Sequence, residues 1–373
     1  AAIEAGVSVL DGIKVDTVEE AKDISAKIGY PVIIKASAGG GGRGMRVCER
    51  EEDLKGQFES AVREAKKAFN NGEVFIDKYV RSPRHVEAQI LADEYGHIVH
   101  LFERDCSIQR RHQKIIEFSP SQSISEETRR AICEESVNLA KHVGYTNAGT
   151  VEFLVDENEK HYFMEVNPRI QVEHTVTELV TNVDLVQAQI LIAEGYKLTD
   201  EEINIQSQDD IKMSGAAIEC RVTTENVLNN FMPDTGKITI YKTGAGPGVR
   251  LDGGNGFAGS EITPYFDSLL VKTTTYARDF DKARKKMIRT LKEHEIEGVS
   301  TNKDFLINVL KHPDFKKGIC NTNFIEDHPE LFNIEKFDDQ LAKVLTYLSE
   351  TTLKHDNQNK EIISKIEVPR FKD

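Results

Sequence analysis

Residues 150–176, reading TVEFLVDENEKHYFMEVNPRIQVEHTV, constrain the fold of this chain more than any other stretch. Two short runs of strand-forming residues, VEFLV and HYFMEV, flank the turn-rich segment Asp156-Glu157-Asn158-Glu159-Lys160, which predicts an antiparallel hairpin. A four-residue loop over 157–160 would pair Asp156 with His161, and counting back sets Glu152 opposite Glu165. Side chains alternate faces with period two, so Glu165 and Asn167 point the same way. Two carboxylates and an amide oxygen then share one face. Like charges opposed across strands repel, so a neutralising cation is expected there. The hard-oxygen donor set points to Mg²⁺ held together with phosphates; a solvated outer face is the plain alternative. Arg169, Gln171, Glu173 and His174 follow closely and concentrate polar chemistry in this segment.

The chain has 373 residues, enough for two or three domains with a sizeable core. Its 39% hydrophobic and 29% charged residues are an ordinary soluble profile. A net charge of −14 without a long basic run argues against nucleic acid or an anionic membrane as partner. No apolar run approaches the roughly 20 residues of a bilayer span, and no secretory pattern is seen. Cys48, Cys106, Cys133, Cys220 and Cys320 lack paired metal-site spacing. They read as reduced thiols of a reducing compartment, cytoplasm or mitochondrial matrix.

The opening AAIEAGVSVL reads as the tail of a helix entering a strand, so a preceding segment is expected. Asp16 with Glu19 predicts a helix N-terminus, and Gly29 its end. Strands are expected over 30–36, 45–47 and 74–80, and a helix over 51–69 with Leu54, Phe58, Ala61, Val62, Ala65 and Phe69 on one face. Residues 1–79 thus form a small α+β lobe. Residues 80–328 form a larger domain with a strand pair joined at Glu94-Tyr95-Gly96, a helix from Ser125 to Gly144, and a helix over 185–193. More strands are expected near 216–222, 237–241, 248–252 and 269–277, then helices near 281–293 and 301–310. Residues 329–373 read as an amphipathic helix, marked by Leu341, Leu345 and Leu348, and a linker.

Gly39, Gly40, Gly41, Gly42 and Gly44 let backbone N–H groups close over phosphates, because glycine tolerates positive φ and close approach. The run joins strand to strand and lacks the Lys-Ser/Thr pair of a Walker A loop, which suits a flap. Lys35 stands just upstream. Residues 104–114, RDCSIQRRHQK, are dense in cations; if extended, they set Arg110, His112 and Lys114 on one face for an anion. Arg221 is a charge inside a predicted strand and needs a partner, structural or substrate.

Taken together, K-A-S-x-G-G-G-G-R-G-M-R, R-H-V-E-x-Q, E-R-D-C-S-x-Q-R-R-H-Q-K, E-V-N-P-R-I-Q-V-E-H-T-V-T-E and E-C-R resemble biotin carboxylase, an ATP-grasp family, in the right order from about Gly6 to Phe332. The segments around Asn230 to Gly236 and Phe324 to Phe332 look most like the biotin carboxylase part of pyruvate carboxylases. The resemblance implies an α+β ATP-grasp fold, a small lid lobe over a larger mixed sheet. It implies that ATP phosphorylates bicarbonate to carboxyphosphate, whose CO₂ then joins the biotin ureido nitrogen.

Roles follow by position. Lys35 would meet the ATP phosphates under the glycine flap. Asp77, Lys78 and Val80 would hold the adenine, although the family carries Glu at the Asp77 position. His85, Gln109, His112 and Leu154 would complete the nucleotide pocket. Glu152, Glu165 and Asn167 would hold Mg²⁺ or Mn²⁺. Lys114, Arg169, Gln171 and the Val172 backbone would bind bicarbonate, and Glu173 would be its general base. Arg221 would stabilise the enolate-like biotin anion.

Departures from the family are also expected to matter. The N-terminal pre-ATP-grasp domain is missing, and so is the lysine that precedes the A-A-I helix. The stretch 8–15 is shortened. There is no Met-Lys-Met biotinylation site and no carboxyltransferase region. The implied partners are bicarbonate and the biotin carrier and carboxyltransferase domains of a parent protein. A homo-oligomer is implied too: a dimeric contact, or a tetramer in pyruvate carboxylase. The same module of an acyl-CoA or urea carboxylase, or a non-catalytic nucleotide-binding regulatory module, are the competing readings.

Overall fold

The computed structural model describes residues 1–10, 12–37, 45–254, 256–334 and 344–349. The five glycines expected to form the flap, and Leu341, lie outside them. Contacts divide the chain into two units, Ala1–Leu331 and Phe332–Asp373. In the second, residues 344–349 are helical, with Leu345 and Leu348 exposed.

The first unit begins with a small sheet of strands β1 (Ile13–Val15), β2 (Val32–Ala36), β3 (Met45–Cys48) and β4 (Val74–Lys78), in the order β1-β4-β2-β3. Helices α1 (Val18–Ile28) and α2 (Glu51–Phe69) cover it. The apolar period of α2 turns Leu54, Phe58 and Ala61 onto Val32, Ile34, Val74 and Ile76, all buried. Helix α1 starts one residue later than Asp16 and Glu19 predict. Thr17 is the N-cap, and its Oγ1 accepts from Glu20 N at 3.2 Å. Glu20 Oε2 accepts from Asp16 N at 2.9 Å, one residue before the cap, and not from the Thr17 N–H as a capping box requires.

The larger sheet has eight strands. Six are β5 (Arg84–Ala92), β6 (Ile98–Arg110), β7 (Gln113–Ser119), β8 (Asn147–Val155), β9 (His161–Asn167) and β10 (Ala216–Thr223). Two later strands, Val249–Gly253 and Leu269–Ala277, complete it. From one edge the order is Val249–Gly253, Leu269–Ala277, β10, β7, β6, β5, β8, β9. The pairings among its eight strands are all antiparallel, and an isolated parallel bridge joins Val9 to Phe163 of β9.

Alternation along the strands separates an apolar face from a polar one. Val86, Ala88 and Ile90 of β5 join Val151, Phe153 and Val155 of β8 in a core that includes Ile132, Leu139 and Ala140 of helix α3 (Glu126–Val143). Ser125 caps α3 and Gly144, at φ 64°, ends it, as the sequence predicts. The intervening residues His85, Glu87 and Gln89, with Thr150 and Glu152, are buried on the other face. Helix α4 (His174–Thr181) lies against β10, and α5 (Leu185–Ala193) against β8. Among the described residues no single helix is long and apolar enough to cross a membrane.

All five cysteines are free and buried. Burial pushes the Cys48 thiol up to about 11, and Cys106, Cys133 and Cys220 rise for the same reason. A thiolate is the reactive form. A native sample is therefore expected to react with a thiol reagent only after denaturant is added; rapid labelling of the folded protein would contradict this burial.

Candidate functional site

Four charged residues form one row across four neighbouring strands. Arg104 on β6 stands opposite Glu87 on β5, Glu87 opposite Glu152 on β8, and Glu152 opposite Glu165 on β9. The Glu152–Glu165 pairing is the one expected, reached by a different route. The hairpin loop is 156–160, with Val155 paired to His161, and the register then shifts between Glu152 and Phe153. Met164 is the extra residue of this bulge, and it restores the expected opposition.

Three acids in a row repel unless cations reach them. Lys114 does so. Its Nζ lies 2.6 Å from Glu87, 2.8 Å from Glu152 and 2.7 Å from Glu173. Burial opposes its charge, but the surrounding carboxylates prevail and raise its pKa far above the ordinary lysine range. Glu152 is likewise held well below the carboxylate range: His85 and Lys114 outweigh the cost of burial. Fully buried Arg104 closes the row from the other end. Its guanidinium donates to Glu87 at 2.8 Å, Gln89 at 2.7 Å, Thr177 at 3.0 Å, and Thr150 and Gln171 at 3.2 Å each. Gln171 passes the contact on, donating to Glu152 at 3.0 Å.

Glu173, the N-cap residue of α4, is 2% exposed and is gripped from both sides. Lys114 holds Oε1, and Arg221 Nη2 donates to Oε2 at 3.0 Å. Arg221 also lies 2.5 Å from Glu117 on β7. The Val172 carbonyl accepts from Lys272 Nζ at 2.8 Å, which fixes the backbone just before Glu173.

The expected single face of Arg110, His112 and Lys114 does not form. The chain turns between β6 and β7, with Arg111 at φ 50° and His112 at φ 65°, pairing Arg110 with Gln113 and Gln109 with Lys114. His112 is exposed in the turn. Arg110 instead donates to the Asn230 carbonyl at 2.6 Å and stacks 4.0 Å over the Phe231 ring.

A cleft of about 960 Å³ gathers Lys35, His85, Gln109, His112, Lys114, Glu152, Glu165, Asn167, Arg169, Gln171, Val172, Glu173 and Arg221. Asp77, Lys78, Val80 and Leu154 lie outside its lining. Asp77 is buried and pairs with Lys35 at 2.6 Å. The Lys78 amine donates to the Gly29 carbonyl at 2.8 Å and that of Tyr30 at 3.2 Å. Leu154 is cross-strand to His85, and Val80 is half-buried.

The donors suit a divalent cation beside phosphates: two opposed carboxylates, Glu152 and exposed Glu165, with Asn167 two residues along β9. His85 is aimed at the same place. Gln109 Nε2 donates to its Nδ1 at 2.9 Å, so Nε2 carries the proton. That Nε2 is buried, 3.3 Å from Glu152, and without a hydrogen-bond partner among the described residues.

Residues 1–201 match the family model described as carbamoyl-phosphate synthase L chain, ATP binding domain, and residues 219–327 match the biotin carboxylase C-terminal domain. The biotin carboxylase domain of Hydrogenobacter thermophilus 2-oxoglutarate carboxylase superposes with a TM-score of 0.83 at 44% identity, over 90% of this chain and 73% of that one. The chain belongs to the biotin carboxylase family. It has the ATP-grasp fold of that family. The biotin carboxylase chain is also 54% identical over 352 residues to pyruvate carboxylase of Bacillus subtilis, covering 94% of this chain and 31% of that protein. The pyruvate carboxylase structure from Rhizobium etli gives a TM-score of 0.84 at 48% identity, over 93% of this chain and 31% of that one. The chain thus spans about a third of the length of the curated relatives it matches.

Sequence pattern alone does not single out Glu87, Arg104, Glu117 or Lys272 in this biotin carboxylase site. Each is a charge inside a strand, where alternation reads as a solvated face. One signal was available. Glu87 stands between Val86 and Ala88 and Glu117 between Ile116 and Phe118, and a charge between apolar neighbours in a strand demands a buried partner; Arg104, between Glu103 and Asp105, carries no such signal.

Proposed function

We propose that this chain carries out ATP- and bicarbonate-dependent carboxylation of biotin, the first half-reaction of a pyruvate carboxylase that turns pyruvate into oxaloacetate. The observation that carries this reading is Glu173 wedged between Lys114 and Arg221 in the cleft. A buried carboxylate held by Lys114 at one oxygen and by Arg221 at the other has a fixed orientation in the cleft, as a general base requires. In this reading Lys114, Arg169, Gln171 and the Val172 backbone bind bicarbonate. Glu173 accepts its proton as the bicarbonate oxygen attacks the γ-phosphorus of ATP and ADP departs. Lys35 contacts the phosphates, with the glycines 39, 40, 41, 42 and 44 as the flap above them. Asp77, Lys78, Val80, His85, Gln109, His112 and Leu154 form the nucleotide pocket.

Glu152, Glu165 and Asn167 would hold Mg²⁺ or Mn²⁺, which would supply positive charge to the phosphates. Arg221 keeps a positive charge through burial, because Glu117 and Glu173 more than offset the cost. It is aimed at the negative charge that develops on biotin as its ureido nitrogen is deprotonated. Biotin arrives on a carrier domain and leaves for a carboxyltransferase domain. The relatives' length, about three times that of this chain, supports such a parent protein. The Hydrogenobacter thermophilus domain, described as a dimer with MgADP, ADP and bicarbonate, supports both the ligands and a dimeric contact; a tetramer goes with the pyruvate carboxylase reading. Within the chain, 1–79 serves as lid, 80–328 as catalytic body, and 329–373 as the connection onward. The buried free thiols favour cytoplasm or mitochondrial matrix; the rat relative carries the name pyruvate carboxylase, mitochondrial.

The test is ADP release by the full-length carboxylase with Mg-ATP, adding bicarbonate and free biotin separately and together. ADP formed mainly with both is the expected result. ADP formed regardless of either would reject bicarbonate and biotin as substrates, and nucleotide binding without ADP would point to a regulatory module. Arg221→Ala is expected to cost ~100-fold in biotin carboxylation and much less in bicarbonate-dependent ATP cleavage. Equal loss of both would remove Arg221 from the biotin step.

A further inference from the structure

Behind Arg221 lies a second pair of acids that the proposed chemistry leaves unused. Glu117 on β7 and Glu219 on β10 are directly opposite each other, and both are 0% exposed. Opposed positions bring side chains within about 4.5–5.5 Å at Cβ. The two acids have unlike company. Glu117 lies against Arg221 at 2.5 Å. Glu219 has a hydroxyl instead: Thr175 Oγ1 contacts its Oε2 and lies 2.7 Å from Thr274 Oγ1. Glu219 Oε1 and both Glu117 oxygens find no hydrogen-bond donor among the described residues, apart from the Arg221 ion contact.

The charges around the pair are unequally placed. Lys114 on β7, Arg221 on β10, Lys272 on Leu269–Ala277 and Glu173 ahead of α4 act on one or both acids, beside the un-ionised Cys106 and Cys220 thiols. At the pair itself Arg221 lies against Glu117, whereas the contacts of Glu219 are hydroxyl oxygens, so among the described residues Glu219 is the acid with no cation against it. A buried carboxylate without a cation in contact takes up a proton rather than stay ionised.

We infer that Glu117 and Glu219 hold a single proton between them, resident on Glu219, and that anionic Glu117 is a positioning residue that steers Arg221 toward the cleft. Burial pushes both acids up. Glu117 rises to about 7, restrained by Arg221, and Glu219 rises to about 8, with Glu117 opposing its ionisation. With the proton on Glu219, Arg221 is held by Glu117 and Glu173 alone, which fixes where its guanidinium points. The consequence for catalysis rests on the function proposed above; the proton itself does not.

The proton is read directly by isotope-edited infrared spectroscopy of the full-length protein with ¹³C-labelled glutamate, near pH 7. A carbonyl band of a neutral buried carboxylic acid is expected in the wild type and should vanish in Glu219→Gln. Absence of the band in the wild type, or its persistence in Glu219→Gln, overturns the inference. Should that variant fail to fold, loss of the wild-type band on titration above about pH 9 serves in its place; a band unchanged at that pH overturns the shared proton.

Steering is read by kinetics. Glu117→Gln is expected to lower kcat for biotin-dependent ADP release by roughly 10- to 100-fold. KM for ATP should stay within about twofold, and Glu117→Asp should restore part of the rate. Unchanged kcat, or equal damage from Gln and Asp, overturns the positioning role. If the wild type itself shows no biotin-dependent turnover, the proposed function fails while the infrared band still reports on the pair.

Discussion

Glu173→Gln is expected to abolish bicarbonate-dependent ADP release, by a factor of roughly 10² to 10⁴, while the protein stays folded and nucleotide affinity changes by no more than a few fold. The amide keeps the shape of the carboxylate and removes its basicity. Folding survives because neither cation is stranded. Lys114 retains Glu87 and Glu152, and Arg221 retains Glu117. Both remaining sets are buried, so the exchange keeps one hydrogen bond, to the amide oxygen, and loses the other without opening a cavity. Of the residues proposed for the nucleotide, Lys35 pairs with Asp77 and His85 faces Glu152, rather than Glu173. Single-turnover ADP formation and nucleotide titration on the same sample separate the two effects. Retention of more than roughly a tenth of the wild-type rate would remove Glu173 from the proton transfer. A matching loss of nucleotide affinity would make its role structural.

The hairpin that carries the metal-type donors was legible because its information is local. Strand-forming runs and a turn specify who faces whom, and one bulge at Met164 compensated for a loop longer by one residue. Elements bounded by strong caps, such as α3 between Ser125 and Gly144, were equally legible. Three features were not. The β6–β7 turn uses positive φ at Arg111 and His112, residues without the glycine signature of such a turn. Helix α4 reads HTVTELVT, rich in β-branched residues that favour strands. It is helical because Val176 and Val180 pack with Ala217 of β10, a contact far away in sequence. The cluster around Lys114 draws on β5, β7, β8 and the segment before α4. No local pattern announces that Glu87, Glu152 and Glu173 converge on one amine. Family motifs preserved these letters in order; the register of the sheet explains why they must occur together.

Arg104→Met is expected to be the most destabilising single substitution in the site, costing about 3–5 kcal/mol. Arg104 is fully buried and serves five partners on β5, β8, the segment before α4 and α4 itself. Methionine fills much of the space but leaves Glu87 with Lys114 alone and frees the oxygens of Gln89 and Gln171. An uncompensated buried charge and unsatisfied acceptors are each expensive. Lysine is expected to recover only part of the loss, because one ammonium cannot reproduce the guanidinium fork. The deficit has a sign in pH. Burial pushes Glu87 up, but Lys114 and Arg104 outweigh it and hold its pKa below the ordinary 4.5. That depression contributes stability present above about 4.5 and lost as pH falls through the folded value. The gap between Arg104→Met and wild type should therefore be widest near neutrality and narrow in acid, as Glu87 becomes protonated in the variant first. Denaturant midpoints at pH 7 and at about pH 3.5, on either side of the ordinary 4.5, measure this. A variant within about 1 kcal/mol of wild type at both values would mean that Arg104 is dispensable to the row of charges on which the site is built.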